Sequence, residues 1–432
     1  MPAKKASKKV DKTAVKSTAK KPPPVPSVDW GHAGSQLTKD EAIRVFVNGM
    51  NAENRRLVVR ADEAPNPYYL RRPTGIIDLD IDIGGGWPAG GCCMVSGPDN
   101  AGKTWLVLKT MAYQQKLHGS SCRLAYAVTE GSFPFDQAIN AGMKVKVPDD
   151  MIEQWQEWRR LRNIPLFTNE EIQAQFKQEV GEVYILRGYT GEELLQVIIE
   201  AVRTNGFSCV ACDSIAGLAP AGDSAKVMDE RDQMSAQALM MTKFFRKYSP
   251  ITTGINGTNL TTLLFTQQVR ANMERSNAPS NMQKYLKLWA ITGAWSSKHF
   301  KLIDLIVWNG KTLRRGGEES EGKEAIGKML KWEVEKGKAG THDNKGGEAA
   351  FYYGLHGTDD TGELIASGIR RGVIQPLSRG VVVVRPDTGE VLNDFKAPSQ
   401  KALRRMIELD FDFELALRRE VLTAANIQCL YR

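Results

Sequence analysis

Eight consecutive residues fit the pattern G-x-x-x-x-G-K-[ST], and they constrain this chain more than any other feature. They are Gly97, Pro98, Asp99, Asn100, Ala101, Gly102, Lys103 and Thr104. An apolar run, Cys92 to Val95, precedes them and a helical pattern follows, which indicates a strand, a loop and a helix. Glycines let such a loop wrap a phosphate, with its N–H groups and the helix N-terminus supplying positive potential. We expect Lys103 to reach the β- and γ-phosphate oxygens and Thr104 to offer its hydroxyl to Mg²⁺.

From Thr74 onward, apolar runs alternate with helical patterns. The runs are GCCMVSG, RLAYAV, EVYILRG, FSCVACDS, TTLLFTQQ, IDLIVW and KWEVEKGK. Strands that alternate with helices favour a doubly wound, mostly parallel sheet. The predicted fold class is therefore α/β, a P-loop NTPase core with a small N-terminal helix and strand element and a small α+β C-terminal domain.

The chain has a net charge of +8, and most of it lies at the N-terminus. Residues 1–21 contain eight lysines and one aspartate, so residues 22–432 carry only +1. We expect residues 1–28 to be a disordered basic tail that ends in a stiff Pro-rich spacer. A solubilising tail and an arm that contacts nucleic acid are both compatible with it. Any nucleic-acid surface on the folded body must be a local patch.

Three further segments are predicted around and within the core, which is expected to span residues 71–345. Within residues 29–70, a capping box at Thr38 to Glu41 predicts the start of a helix. This small element must pack on its own core or on a neighbouring subunit. Residues 145–182 are predicted to be an inserted pair of helices. The composition changes after Gly346 and Gly347, so residues 346–432 are predicted to form a separate C-terminal domain.

Membrane and secreted classes do not fit the sequence. No apolar run approaches the roughly 18 residues that span a bilayer, and the N-terminal lysines precede no apolar stretch. Six cysteines are too few for a disulfide scaffold in a chain of 432 residues. Cys209 and Cys212 lie in an apolar run, have no second pair to complete a zinc site, and are expected to be packing residues. We therefore predict a cytoplasmic protein with no membrane partner.

Three polar side chains follow apolar strands where those strands end. Asp213 closes the run FSCVACD and is expected to hold the Mg²⁺ shell with Thr104, although capping of the next turn is an alternative. Glu130 follows the strand Leu124 to Val128, where it can orient water for hydrolysis. Gln268 can contact a γ-phosphate and report its presence to the segment that follows.

The segment from Val269 to Gly293 has no clear period and only one acid, Glu274. It interleaves cations with aromatic rings, namely Arg270, Arg275, Lys284, Tyr285, Lys287 and Trp289. Cations for phosphates and rings for base stacking suit single-stranded nucleic acid, whereas an ordinary mobile loop is the plainer interpretation. Because the segment begins directly after Gln268, we expect it to respond to the nucleotide state.

Taken together, these segments resemble the RecA family of recombinases over roughly residues 71 to 425. The matching segments are TGIIDLDIDIGGGWPAGG, GPDNAGKT, AYAVTE, FSCVACDSIAGLAP, LLFTQQVR, TGAWSSKHF, EVEKGKAG and TGELIASGIRRGVI. The resemblance implies an ATP- and Mg²⁺-using, DNA-dependent ATPase that coats single-stranded DNA as a helical homo-oligomeric filament. It also implies strand exchange with homologous double-stranded DNA, and single-strand-binding or loader proteins as further partners.

The resemblance assigns roles to residues of the ATP site. It places the family's catalytic glutamate on Glu130, its Mg-side aspartate on Asp213 and its γ-phosphate-sensing glutamine on Gln268. In the family, two lysines cross the subunit interface to the neighbour's ATP, and Lys336 and Lys338 match them. Cations that reach a transferring phosphoryl group stabilise its charge, which would make hydrolysis depend on assembly.

The resemblance also implies where DNA binds and where the chain departs from the family. Family DNA loops fall on residues 220–234 and 269–293, with Arg246 and Lys298 as nearby phosphate contacts. An aromatic residue that stacks on adenine in many members aligns with Gln137, and Phe135 is a candidate substitute.

Other departures concern the interface and the chain ends. A family interface aromatic is replaced by His299, the insertion has no counterpart in bacterial members, and the C-terminus lacks an acidic run. These departures are more typical of a bacteriophage recombinase than of a housekeeping bacterial one.

Two other functions use the same core. A hexameric DNA helicase of this type carries a separate N-terminal primase-binding domain, for which residues 29–70 are too short. A regulatory ATPase of the superfamily that does not act on DNA would not need the cationic, aromatic segment. Lys336, Lys338 and the C-terminal module favour the recombinase.

Overall fold

The computed structural model describes residues 38–51, 58, 60, 70–147, 149–221, 230–252, 259–271, 289–291, 297–315, 324–338, 340–341, 343–354, 357–428 and 430–431. The chain divides into two units, Met1–Ala64 and Pro65–Arg432. Among the described residues, no helix is long and apolar enough to cross a membrane.

The described part of the first unit is helix α1 (Lys39–Met50) with a few flanking residues. Its predicted capping box is confirmed, because the Glu41 N–H donates to the Thr38 hydroxyl at 3.3 Å and the Thr38 N–H donates to the Glu41 carboxylate at 2.8 Å. The apolar side chains of Ile43 and Phe46 are 58% and 38% exposed. The strand expected around residue 58 lies mostly outside the described residues.

The second unit contains the remaining described helices and strands. Its helices are α2 (Ile77–Asp82), α3 (Lys103–His118), α4 (Phe135–Asn140), α5 (Asp149–Arg160), α6 (Asn169–Val180), α7 (Gly191–Arg203), α8 (Glu230–Thr252), α9 (Ser297–Phe300), α10 (Asp360–Arg370), α11 (Gln400–Leu409) and α12 (Phe411–Ala424). Its strands are β1 (Leu70–Arg72), β2 (Trp87–Pro88), β3 (Cys92–Gly97), β4 (Arg123–Val128), β5 (Glu182–Leu186), β6 (Cys209–Asp213), β7 (Thr262–Ala271), β8 (Trp289–Ile291), β9 (Ile303–Arg314), β10 (Ala325–Gly337), β11 (Gly346–Tyr352), β12 (Gly357–Thr358), β13 (Ile374–Pro376), β14 (Val381–Val384), β15 (Val391–Ala397) and β16 (Leu430–Tyr431).

Ten of these strands form one sheet in the order β12-β11-β10-β9-β3-β7-β6-β4-β5, with β8 paired to β7 beside this path. Neighbouring strands from β9 to β5 are parallel, whereas β10, β11 and β12 continue antiparallel at one side. The predicted α/β class with a mostly parallel sheet is confirmed.

Both faces of the central strands β3, β4 and β6 are buried, which explains their nearly continuous apolar runs. In β3, Cys93 and Val95 pack on the side of α3, whereas Cys92 and Met94 pack on the side of α7 and α8. This alternation has the two-residue period of a strand. The described cysteines are all buried, and burial raises the pKa of the Cys209 thiol to about 12. They are packing residues, as the sequence predicts for Cys209 and Cys212.

The insertion forms the helices α5 and α6. The predicted capping box at Thr168 to Glu171 is present at the start of α6, which buries Ile172, Phe176 and Val180. The side-chain amide of Gln115, near the end of α3, donates to the Lys144 carbonyl at 3.0 Å just before the insertion. The insertion therefore joins the chain at the edge of the sheet where the parallel strands begin.

A third apolar cluster surrounds α10, α11, α12 and the small sheet β13-β14-β15, and it includes Ile77 and Ile81 of α2. Strands β11 and β12 belong to the large sheet, so the part of the chain that builds this cluster begins at α10, later than residue 346. The chain is helical on both sides of Asp410, whose side chain accepts from the Phe413 N–H at 3.0 Å and caps the second of the two helices.

A buried charged network connects this C-terminal cluster to the helix that follows the phosphate loop. Arg418 is fully buried, lies 3.5 Å from Asp80 and 3.2 Å from Glu414, and donates to the Gly75 carbonyl at 2.6 Å. Glu414 also accepts from the Tyr113 hydroxyl at 3.1 Å, and Tyr113 belongs to α3. Burial raises the pKa of Asp80 to about 6 in spite of the neighbouring guanidinium.

We expect Arg418→Met to lower the free energy of unfolding by about 3–5 kcal/mol, because it leaves the buried Asp80 carboxylate without its cation and leaves Glu414 with Lys116 alone, at 2.5 Å. Arg404→Met is the matched control, since Arg404 pairs with Asp359 at 2.7 Å while both side chains are about two-fifths exposed. That control should cost less than about 1 kcal/mol. Urea unfolding measures both, and equal midpoints for the two variants would contradict this account.

Candidate nucleotide-binding site

The phosphate loop has the predicted setting between β3 and α3. A Cβ on Gly97 would lie 2.3 Å from the Val307 carbonyl oxygen of β9, so only glycine fits where these strands pack. Gly102 has a φ of +94° at the start of α3, a conformation that favours glycine. The backbone N–H groups at the start of this 16-residue helix have no partner within the helix and suit an anion.

Lys103 lies at the centre of this loop. Its ammonium donates to the carbonyls of Gly97 at 3.0 Å and Pro98 at 2.7 Å. Burial lowers the pKa of Lys103, although the carboxylates of three nearby residues act in the opposite direction. These three are Asp99, Glu130 and Asp213. The Lys103 side chain is thus folded onto its own loop and lies within electrostatic reach of the predicted catalytic carboxylates.

Asp213 is the hydrogen-bond acceptor of three hydroxyl groups from three different elements. Thr104 and Tyr126 each donate to its Oδ2 at 2.6 Å, and Thr266 donates to its Oδ1. The strand register brings them together, because Val128 pairs with Asp213 and Cys212 pairs with Phe265. Asp213 and Thr104 therefore meet as predicted.

The oxygens of Thr104 and Asp213 fit a Mg²⁺ ion. Mg²⁺ in nucleotide sites uses one or two protein oxygens, substrate phosphates and water. In agreement with this, the described residues contain no group of three or more His, Cys, Asp or Glu that could hold a metal by themselves. The two side chains would supply protein oxygens, and the nucleotide and water the others.

Glu130 is held by the loop that follows β6. The Ser214 hydroxyl donates to Glu130 Oε1 at 2.7 Å. Thr129 clamps the same loop, because its hydroxyl accepts from the Ser214 N–H at 2.6 Å and donates to the Ser214 carbonyl at 2.9 Å. The peptide between Asp213 and Ser214 is cis. The side chain predicted to orient water is therefore tied to the residue that follows the Mg-side aspartate.

Gln268 contacts the phosphate loop directly, because its side-chain amide donates to Asp99 Oδ1 at 2.9 Å. It also pairs with Gly97 in the register of β7 with β3. The expectation of a loop from residue 269 is wrong at the two described ends, since β7 runs on to Ala271 and pairs antiparallel with β8. A two-stranded ribbon thus extends from Gln268, whose amide contacts the phosphate loop.

A cleft of about 340 Å³ opens beside the loop and the start of α3. Its lining residues are Asn100, Ala101, Gly102, Lys103, Thr104, Trp105, Gln137, Asn140, Lys328, Phe351, Tyr353 and Gly354. Gln137, which aligns with the family's adenine-stacking aromatic residue, thus lines this cleft. Phe135 instead packs against Phe133 at 4.9 Å between ring centroids and lies under the Lys146 ammonium at 5.0 Å.

Lys336 and Lys338 lie away from this cleft in their own subunit. Lys336 pairs with Asp304, which pairs with Met94 near the start of β3, whereas the phosphate loop begins at the other end of that strand. The Lys338 ammonium donates to the His299 carbonyl at 3.0 Å. Burial, together with the ammonium groups of Lys338 and Lys301, lowers the pKa of Lys336 to about 8.

The predicted DNA-binding residues are only partly described. Arg246 is exposed on α8 and lines a groove with α7, about two and a half helical turns beyond Gln237, whose amide donates to the Ile215 carbonyl after β6. Arg270, Trp289 and Lys298 lie in β7, β8 and α9, and their side chains are outside the description. Arg275, Lys284, Tyr285 and Lys287 lie outside the described residues, as does most of the first predicted DNA loop at 220–234.

Several polar side chains of the site were missed by sequence reasoning. Thr266 could have been identified from the sequence, because it is a polar residue at the carboxyl end of an apolar strand. Nothing in the sequence indicates that Tyr126 belongs to the site, because its position within an apolar run predicts only packing. The sequence assigns no role to Ser214, although it lies in the segment FSCVACDSIAGLAP, and Lys328 belongs to none of the matching segments. Their contacts follow from the pairing of strands distant in sequence.

No protein-family model matches the chain. The chain is similar to Protein RecA of Rickettsia prowazekii, with 26% identity over 344 residues that cover 79% of this chain and 84% of that protein. It is similar to Protein RecA of Pseudomonas fluorescens, with 25% identity over 354 residues and 82% of each chain. It is also similar to Protein RecA of Thermotoga neapolitana, with 26% identity over 304 residues and 70% of each chain.

We expect Thr266→Val to raise the Mg²⁺ concentration needed for half-maximal binding of ATP by about tenfold, because Asp213 loses a donor that orients it. Thr262→Val is the matched control, since Thr262 is equally buried in the same strand and donates to the Pro88 carbonyl at 3.0 Å instead. Titration of a fluorescent ATP analogue against Mg²⁺ measures the effect. Unchanged Mg²⁺ dependence in Thr266→Val would show that this hydroxyl does not orient the carboxylate.

Proposed function

We propose that this chain, a member of the RecA family, is an ATP-dependent homologous recombinase. It forms helical filaments on single-stranded DNA, hydrolyses ATP between subunits, and pairs and exchanges that strand with homologous duplex DNA. The observation that carries the proposal is the convergence of Lys103, Asp213, Glu130 and Gln268 at one edge of the sheet, with the predicted DNA segment beginning directly after Gln268.

ATP hydrolysis follows from the positions of these groups. The phosphate loop and Lys103 bind the phosphates, while Thr104 and Asp213 would hold Mg²⁺, which when bound neutralises phosphoryl charge. Glu130, fixed by Ser214 at 2.7 Å, orients and polarises the attacking water. Gln268 contacts the γ-phosphate after leaving Asp99, so the start of the β7 and β8 ribbon is positioned by the nucleotide.

The strand register supports action of Lys336 and Lys338 on a neighbouring subunit. Lys336 is level with Met94 and Lys338 with the start of β3, since the Lys338 N–H donates to the Leu302 carbonyl and the Leu302 N–H donates to that of Cys92. From Cys92 to Gly97 a strand rises about 17 Å. Lys338 is therefore about 17 Å along the sheet from the start of its own phosphate loop, and Lys336 is about 10 Å from it. We propose that both act on the phosphate loop of another subunit.

DNA is proposed to bind along the segment 269–293 and the segment 220–234. In the ribbon formed by Val269 to Ala271 with β8, Arg270 belongs to β7 and Trp289 belongs to β8, where it pairs with Ala271. Arg246 and Lys298 are proposed as additional phosphate contacts. Assembly itself is assigned to residues 29–70, and the exposed Ile43 and Phe46 on α1 support it, because an apolar pair on a short helix needs a surface to cover it.

The proposed function is tested with circular single-stranded DNA and a non-hydrolysable ATP analogue under the electron microscope. Helical coating is expected, and Lys103→Ala should abolish both ATP binding and coating because the phosphates lose their principal cation. Closed rings would instead indicate the helicase. Undiminished ATP turnover in Lys103→Ala would contradict the assignment of the phosphate loop.

We also expect DNA-dependent ATP turnover on preassembled filaments to fall severalfold between pH 7 and pH 9. The pKa of Lys336 is lowered to about 8, so the side chain is cationic below that pH and loses its charge above it. Lys336→Arg stays charged throughout this range and should flatten the decline, whatever its absolute rate. Lys331→Arg, on the same strand, serves as the control and should keep the slope of the unmodified protein. Equal slopes in all three proteins would refute the trans role of Lys336.

A further inference from the structure

Lys328 is a half-buried cation without a described carboxylate partner. It lies on β10, its ammonium is 5.9 Å from the Phe351 ring centroid, and it donates to the Asn100 carbonyl of the phosphate loop. Burial alone lowers the pKa of Lys328, so no described charge offsets the cost of desolvating it. The nearby Lys331 differs, because it pairs with Glu348 at 3.2 Å.

The cleft beside the phosphate loop is where Lys328 would meet an anion. Lys328 lines it together with Lys103, Thr104 and Trp105 at the start of α3. The first residues of this helix and Lys328 thus line the same cleft, and the Lys328 ammonium lies at the Asn100 carbonyl of the phosphate loop. An anion bound between them would contact a helix N-terminus and a cation at once, which is the arrangement that favours phosphate.

We propose that Lys328 is a nucleotide ligand of its own subunit, and that its ammonium exchanges the Asn100 carbonyl for a phosphate oxygen of the bound nucleotide. This inference rests on the proposed function and adds a second phosphate-binding lysine to it. Before the exchange, the contact with Asn100, whose φ is 57°, holds the tip of the loop. After it, the half-buried cation has an anionic partner, and the hydrogen bond becomes one between opposite charges.

The position of Lys328 on β10 has a consequence for the assembly. Lys336 follows eight residues later on the same strand, about 26 Å away along the chain and at the opposite edge of the sheet. Irregularities in the pairing of β10 with β9 occur at both positions, between Lys328 and Leu330 and between Val334 and Lys336. Such bulges re-aim side chains. One strand therefore carries a cation to its own nucleotide and another to the nucleotide of the neighbour.

The test compares Lys328→Met with Lys331→Met, two variants that remove one lysine charge from the same strand. Calorimetric titration of the full chain with MgATP and with tripolyphosphate is expected to show about tenfold weaker binding of both ligands to Lys328→Met. Lys331→Met should stay within about twofold of the unmodified protein. Lys328→Arg keeps the charge and should retain most of the affinity, which separates loss of the contact from loss of folding.

Each outcome decides the matter. Unchanged affinity of Lys328→Met for both ligands would overturn the inference, as would an equal loss in Lys331→Met. Weaker binding of MgATP with normal binding of tripolyphosphate would overturn the assignment to phosphate, because the contact would then be with the base or the sugar. If the unmodified protein bound MgATP no better than Lys103→Ala, the proposed function itself would fail, and this inference with it.

Discussion

Parallel strands end at a common edge, and the candidate site depends on this constraint. Strands β3, β7, β6 and β4 are neighbours in register, so residues far apart in sequence meet where these strands stop. Asp213 is an example, because its carboxylate accepts hydrogen bonds from hydroxyl groups on the helix after β3, on β4 and on β7. A shift of any one of these strands by a single residue would turn its polar group to the other face of the sheet.

Charged and polar groups lie toward both ends of the parallel strands of the large sheet. The carboxyl edge gathers Lys103, Glu130 and Gln268 around the phosphate loop. Antiparallel β10 runs from the neighbourhood of that loop back to the amino edge, where Lys336 and Lys338 lie. Because β10 is antiparallel to β9, its carboxyl end lies beside the amino ends of the parallel strands, and Lys336 and Lys338 therefore lie on the side away from the phosphate loop.

The sequence predicts the fold and the principal site residues because both depend on local patterns. The apolar runs with a period of two define the central strands, the glycine pattern at Gly97 to Thr104 defines the loop, and the acids after strands mark the carboxyl edge. Tyr126, Ser214 and Lys328 escape such reasoning, since each acts through a partner at least 80 residues away along the chain. The segment after Gln268 was expected to be a loop, yet its described ends are strands, because pairing of β7 with β8 supplies the regularity that the sequence lacks.

A mutation of a glycine in the phosphate loop can abolish activity for two different reasons, and Gly97, the first glycine of the loop, shows one of them. Gly97 must lack a side chain because the Val307 carbonyl of β9 approaches it from the neighbouring strand. If a genetic screen recovered an inactive Gly97 variant, the loss of activity would therefore indicate that the new side chain had forced β3 and β9 apart. The effect on the nucleotide site would be indirect. Alleles at Gly102, where the backbone conformation itself demands glycine, would be the more faithful genetic markers of the nucleotide cradle.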